Sequence, residues 1–215
     1  ARGGICGQWH RGGAGGSKIT NGKEREEKGM KEKIRELFPE IEWIHDEPMR
    51  DKVVAAIEDG LRSGGWEPED MDRIPFTLLI PNCPFSYLAH VRGVTRIAKL
   101  AMDEFNAIYA AKDEKFRMDN DLLVAGALLH DVGKLVEYEK NGAGETVKSR
   151  CGKNLRHPFS GTVIALRNGL PDEVGHIIAN HAHEGDGTLR SPEAVVVNKA
   201  DFINFESIKS FLGMK

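Results

Sequence analysis

After residue 30, apolar side chains recur along most of the chain at intervals of three and four, the period of helices with one buried face. Residues 31–37 read as a short helix stopped by Pro39. Val53, Val54, Ile57 and Leu61 form the stripe of a second helix. Asp46 can cap it, Pro48 lies in its first turn, and Gly64-Gly65 follows its end. Residues 76–80 are apolar but lie among Pro75, Pro81 and Pro84, which predicts an extended linker. A long helix is expected over 85–111, with His90, Val94, Ile97 and Ala101 on one face. Another is expected over 120–138, where His130 shares a face with Leu123, Gly126 and Ala127.

Three further helices are expected. His157-Pro158 opens one whose Val163, Ile164 and Leu166 point inward, and Asn168-Gly169 ends it. Pro171-Asp172-Glu173 opens the next, where the stripe Val174, Ile177, Ile178 leads to His181, with His176 off the stripe and exposed. The last runs over 192–202, with Ala194 and Val197 seven and four positions before Asp201. Residues 140–156, carrying Gly142, Gly144 and Gly152, read as an irregular loop. Its basic residues, Arg150 and Lys153 among them, suit a mobile lid over an anionic substrate.

Composition narrows the class. The chain has 215 residues, 40% of them hydrophobic and 29% charged, with net charge −3. That describes a globular protein rather than one that coats nucleic acid or lies on a membrane. No apolar run approaches a membrane span. Three cysteines without metal-site spacing suit a reducing compartment, so the expected location is the cytoplasm. Residues 1–29 are rich in Gly, Lys and Arg and nearly free of aliphatic side chains. They are expected to be a disordered or foreign tail, with Met30 as the natural start. Residues 30–75 are expected to form a helical appendage, and 76–215 the main domain.

The polar residues on the inward faces change this picture. A buried imidazole beside a buried carboxylate, as at His130-Asp131, is costly unless each has a partner. Helix after helix repeats the problem: His90, His130 with Asp131, His157, His181 and Asp201 all face the core. A divalent cation between the helices would serve them all. Gly133 and Gly161 thin the helix surfaces beside His130 and His157, and Lys134 lies on the His130 face.

His130-Asp131-Val132-Gly133-Lys134, with a His before it, further histidines after it and a distant Asp201, resembles the signature of the HD superfamily of metal-dependent phosphohydrolases. The resemblance covers residues 85–205 and implies an all-α helical bundle with a metal site buried between helices. It implies one ion held by His90, His130, Asp131 and Asp201, and a second held by His157 and His181, with Asp131 bridging. Asp131 and Lys134 would then be catalytic. Lys134, His183, Arg150 and Lys153 would meet the substrate, a small anionic phosphate mono- or diester such as a nucleotide. The donors are nitrogen and oxygen, which permits Mn, Fe, Co, Ni or Zn. His183 fits a substrate contact, a replacement ligand or an exposed loop residue. Residues 181–187 also weakly resemble the signature of cyclic di-GMP phosphodiesterases. Ala182 replaces the first histidine of its His-His pair and the Gly-Tyr-Pro is missing, which disfavours that substrate. Two other functions share this ligand pattern: a di-iron oxygenase cleaving C–C or C–P bonds, and a nucleotide-sensing module without turnover. Assembly as a homo-oligomer is compatible with the sequence.

Overall fold

The computed structural model describes the backbone of residues 20–214 and the side chains of residues 28–214. The first 19 residues of the expected tail and Lys215 lie outside the described residues. The chain is all-α apart from one small hairpin. Its helices are α1 (Thr20–Leu37), α2 (Glu47–Gly64), α3 (Tyr87–Phe105), α4 (Asn120–Leu129), α5 (Lys134–Glu137), α6 (Arg150–Asn154), α7 (His157–Arg167), α8 (Asp172–Asn180) and α9 (Pro192–Phe211). The antiparallel strands β1 (Tyr138–Lys140) and β2 (Thr146–Lys148) follow α5. No helix among the described residues is long and apolar enough to cross a membrane.

Capping explains where several helices begin. The Ser86 and Ser191 hydroxyls accept from Ala89 N and Ala194 N at the starts of α3 and α9. Asp119 accepts from Asp121 N and Leu122 N at the start of α4. Asp46 precedes α2 as expected, but its side chain caps nothing. Instead the Asp121 carboxylate, from α4, accepts from His45 N at 2.8 Å and Asp46 N at 2.9 Å. Gly65, in the left-handed region at φ 73°, ends α2.

At the centre, α3 packs on α4 and α9, α4 also packs on α8, and α8 on α7. One hydrophobic cluster runs from Ile34, Phe38 and Ile57 of the first helices to Leu123, Leu128, Ile178 and Val197. The helices of residues 30–75 therefore share the core of the helices that carry the ligand residues.

Several expectations are corrected. α1 starts at Thr20, not at 31, because residues 23–28 are all Lys, Glu or Arg, good helix formers. The helix expected over 120–138 breaks at His130. The bonds Val132 N to Leu129 O and Lys134 N to Asp131 O span three residues, a tighter turn than an α-helix makes. The irregular loop is in fact the β1–β2 hairpin followed by α6. On α7 only Ile164 of the three expected core residues is buried; Val163 and Leu166 are exposed. His176 is half-buried, within reach of Ser191 N and Asn180. α9 continues nine residues beyond 202.

Candidate metal centre

The tight turn after α4 presents Asp131 at the meeting point of four helices. Gly133 makes this position accessible: a Cβ there would lie 2.1 Å from His157 O and 2.7 Å from Gly161 N. Only glycine lets α7 come close enough to bring its first residue, His157, alongside Asp131.

Two triads of donors result, both buried, and Asp131 belongs to each: His90, His130 and Asp131, and Asp131, His157 and His181. The carboxylate divides itself between them. Its Oδ2 lies 3.2 Å from His90 Nε2 and 3.4 Å from His130 Nε2. Its Oδ1 lies 3.3 Å from His157 Nε2 and 3.6 Å from His181 Nε2. Asp201 Oδ1 joins the first triad at 3.2 Å from His90 Nε2.

The rings are fixed from behind. Each Nδ1 meets an acceptor: Ala127 O for His130 and Ile178 O for His181, both at 2.7 Å, Glu137 Oε2 for His157 at 2.7 Å, and Asn204 Oδ1 for His90 at 2.9 Å. With the proton at Nδ1, all four Nε2 lone pairs point inward. There His90 and His130 Nε2 stand 3.3 Å apart, as do His157 and His181 Nε2. Both Asp131 oxygens are fully buried, and the polar side-chain groups facing them among the described residues are the Lys134 ammonium and the imidazole nitrogens. Converging lone pairs around a buried carboxylate are unfavourable alone and become favourable around cations. The donor set fits divalent ions, His90, His130, Asp131 and Asp201 on one side and Asp131, His157 and His181 on the other.

Charge accompanies this geometry. Burial alone would raise the Asp131 carboxyl, yet Lys134 and the surrounding imidazoles hold it well below the usual range. Lys134 Nζ sits 2.6 Å from Asp131 Oδ2 and donates to Phe76 O at 2.7 Å. Asp131 outweighs burial and raises the lysine, which stays charged. Burial pushes His157 down to about 4, so its imidazole is neutral, as a ligand must be. Burial also acts on Glu137, but hydrogen bonding from His157 outweighs it and keeps the carboxylate ionised.

A cavity of about 200 Å³ opens onto Asp131, His90, His157 and Asp201. Lys134 and His183 line it, as expected for substrate contacts. His183 Nδ1 lies 3.1 Å from Asp186 Oδ2, and its ring meets Phe202 edge-on. Arg150 and Lys153 do not line the cavity; both are exposed on α6. The basic residues of that stretch that do line it are Lys148, on β2, and Arg156, paired with Glu184 at 2.9 Å. Sequence reasoning missed Glu137 and Asn204, which hold ligand rings, and Phe76, which stacks on His90 with centroids 4.5 Å apart. A buried ligand histidine must have a partner for its second nitrogen, but no spacing says which residue provides it.

The profile of the HD domain matches residues 87–204. The chain is 28% identical over 181 residues to a dihydroneopterin 2′,3′-cyclic phosphate phosphodiesterase of Methanocaldococcus jannaschii, a match covering 78% of this chain and 67% of that protein. It is 36% identical over 90 residues to ribonuclease Y of Desulforudis audaxviator and 32% over 90 to that of Acidothermus cellulolyticus. Those matches cover 42% of this chain and 15% of either ribonuclease. No solved structure matches the chain.

Proposed function

The chain belongs to the HD-domain family of metal-dependent phosphohydrolases, and from that premise we propose that it hydrolyses a small phosphodiester with two divalent ions at the two triads. The observation that carries this reading is Asp131, with one oxygen turned to each triad. Bound there, a pair of divalent ions supplies Lewis acidity for phosphoryl oxygens and lowers the pKa of water to near neutrality.

The chain's own residues do the rest. Three carboxylates lining the cavity (Asp131, Glu137 and Asp201) offset three cations (Lys134, Lys148 and Arg156), so the lining is formally neutral. Affinity for an anion therefore depends on the ions. Lys134, held between Asp131 and Phe76 O, is fixed at the cavity wall, where its charge favours phosphate oxygens. Lys148 and Arg156, which also line the cavity, are placed to orient the ester. Leu78, Leu79 and Phe202 give the lining an apolar part for the organic group. A cavity of about 200 Å³ is small beside common ligand sites of about 300–1,000 Å³. It suits a compact diester, such as the cyclic phosphate in the archaeal relative's name, better than a polynucleotide.

The test is turnover of bis(p-nitrophenyl) phosphate by protein purified without oxygen and loaded in turn with Mn, Fe, Co, Ni and Zn. Metal-dependent hydrolysis that vanishes in Asp131→Ala is expected. Absence of hydrolysis with every ion, together with O₂ uptake by the iron form on organophosphonates, would overturn the proposal.

A further inference from the structure

The partners behind the four ligand rings are not equivalent. His130 and His181 lean on backbone carbonyls of their own helices, Ala127 O and Ile178 O, and His90 on the neutral amide of Asn204. His157 alone of the four leans on a carboxylate, and the contact is double. Glu137 Oε2 accepts from the His157 ring at 2.7 Å and from its backbone N at 3.0 Å, while Oε1 lies 3.3 Å from Lys148 Nζ. Glu137 is itself buried, 3% exposed.

The segment after Glu137 holds it in place. Ser149 N donates to Glu137 O at 2.8 Å, and Ser149 Oγ to Val136 O at 2.7 Å. Tyr138 and Lys148 are register partners in the hairpin, so the strand that leaves Glu137 returns with the lysine that meets its carboxylate. α6 closes against the same residue: a Cβ on Gly152 would lie 2.3 Å from Glu137 O. This stretch is clamped to the residue behind a ligand, which is not how a mobile lid is built.

We propose that Glu137 is a positioning residue for one of the two ion subsites, that of Asp131, His157 and His181, and that the β1–β2 hairpin is its brace. The carboxylate fixes the His157 ring with Nε2 directed at the subsite, and its charge makes that nitrogen a stronger donor than a carbonyl partner would. The subsite of His90, His130 and Asp201 has no such support and does not depend on Glu137. The two subsites therefore respond differently to a change at one residue that touches no ion. The inference rests on the dinuclear reading of the centre, though not on the substrate.

Zn²⁺ binding to the metal-free, full-length protein tests it, followed by calorimetry and by elemental analysis after dialysis. Wild type is expected to take up two ions. Glu137→Gln keeps an acceptor for both His157 N–H groups and so keeps the fold. It is expected to bind one ion as wild type does and the other about 10–100-fold more weakly. Glu137→Ala is expected to retain a single ion, and His157→Ala to give the same stoichiometry. The positioning role is overturned if both Glu137 variants bind two ions with wild-type affinities, or if Glu137→Gln weakens both ions equally. Wild type that binds no ion would instead overturn the metal reading, so the two failures are distinct.

Discussion

Replacing Asp131 with alanine removes a donor from both triads at once, whereas replacing His157 removes one donor from one triad. Asp131→Ala should therefore lose both ions and hydrolysis together, by at least about 1,000-fold if the ions supply several kcal/mol. His157→Ala should keep one ion per chain by elemental analysis. Two tightly bound ions in Asp131→Ala would refute the shared carboxylate. Lys134 gives a separate test in the metal-free protein. Truncating it to alanine strands a buried carboxylate, a change that costs about 3–5 kcal/mol, readable in urea unfolding. The candidate ligands could be picked out because each falls on the core-facing side of a helix or just past its end, where a lone polar side chain would be destabilising. The residues behind them could not, because ring orientation selects them from far along the chain. Glu137 is 20 residues from His157, and Asn204 is 114 from His90.

Elements, more than residues, resisted sequence reading. The period of three and four runs unbroken through 120–138, yet the backbone tightens at His130, because the close approach of α7 at Gly133 overrides local propensity. Gly133→Ala should either push α7 off the turn or fail to fold stably. Overpacking of this kind costs about 1–3 kcal/mol even where neighbours can move, and here they are backbone atoms. A melting temperature within a degree of wild type, with two ions bound, would contradict this. The basic stretch after residue 139 was legible as charge and not as position. Arg156 lines the cavity, while Arg150 and Lys153 are exposed on α6 and do not. Initial rates should show Arg156→Ala raising KM for an anionic diester more than either Arg150→Ala or Lys153→Ala does.

The whole molecule links ion binding to stability and to pH. Ions that bind only the folded chain stabilise it by about 2.7 kcal/mol at a free concentration 100 times Kd. A chelator should then lower the melting temperature by roughly 5–10 °C for a chain of this size. Protons compete for the same nitrogens. Burial pulls the His90 imidazole down, but the Asp131 and Asp201 carboxylates beside its Nε2 outweigh burial and raise the metal-free ring to about 9. Because the folded value is raised, this group stabilises metal-free protein fully below about pH 6.5, and the contribution is lost as pH rises through about 9. Ion binding must expel that proton, so affinity should fall about tenfold per unit as pH drops from 9 to 7. Calorimetry in buffers of different ionisation enthalpy reads the released proton directly. An affinity flat across that window would show that His90 binds no ion.

Asp131 carries one more consequence. With one oxygen turned to each triad, it would share a single negative charge between the two ions of the proposed centre, and each ion would be an effector of the other. Filling one draws on the charge that attracts the second. By reciprocity the affinity changes by the same factor whichever ion arrives first. When metal is scarce the chains would hold one ion each before any held two, and the fully loaded fraction would rise over a wide range of concentration. Such a centre would grade its output with the metal supply instead of switching it on.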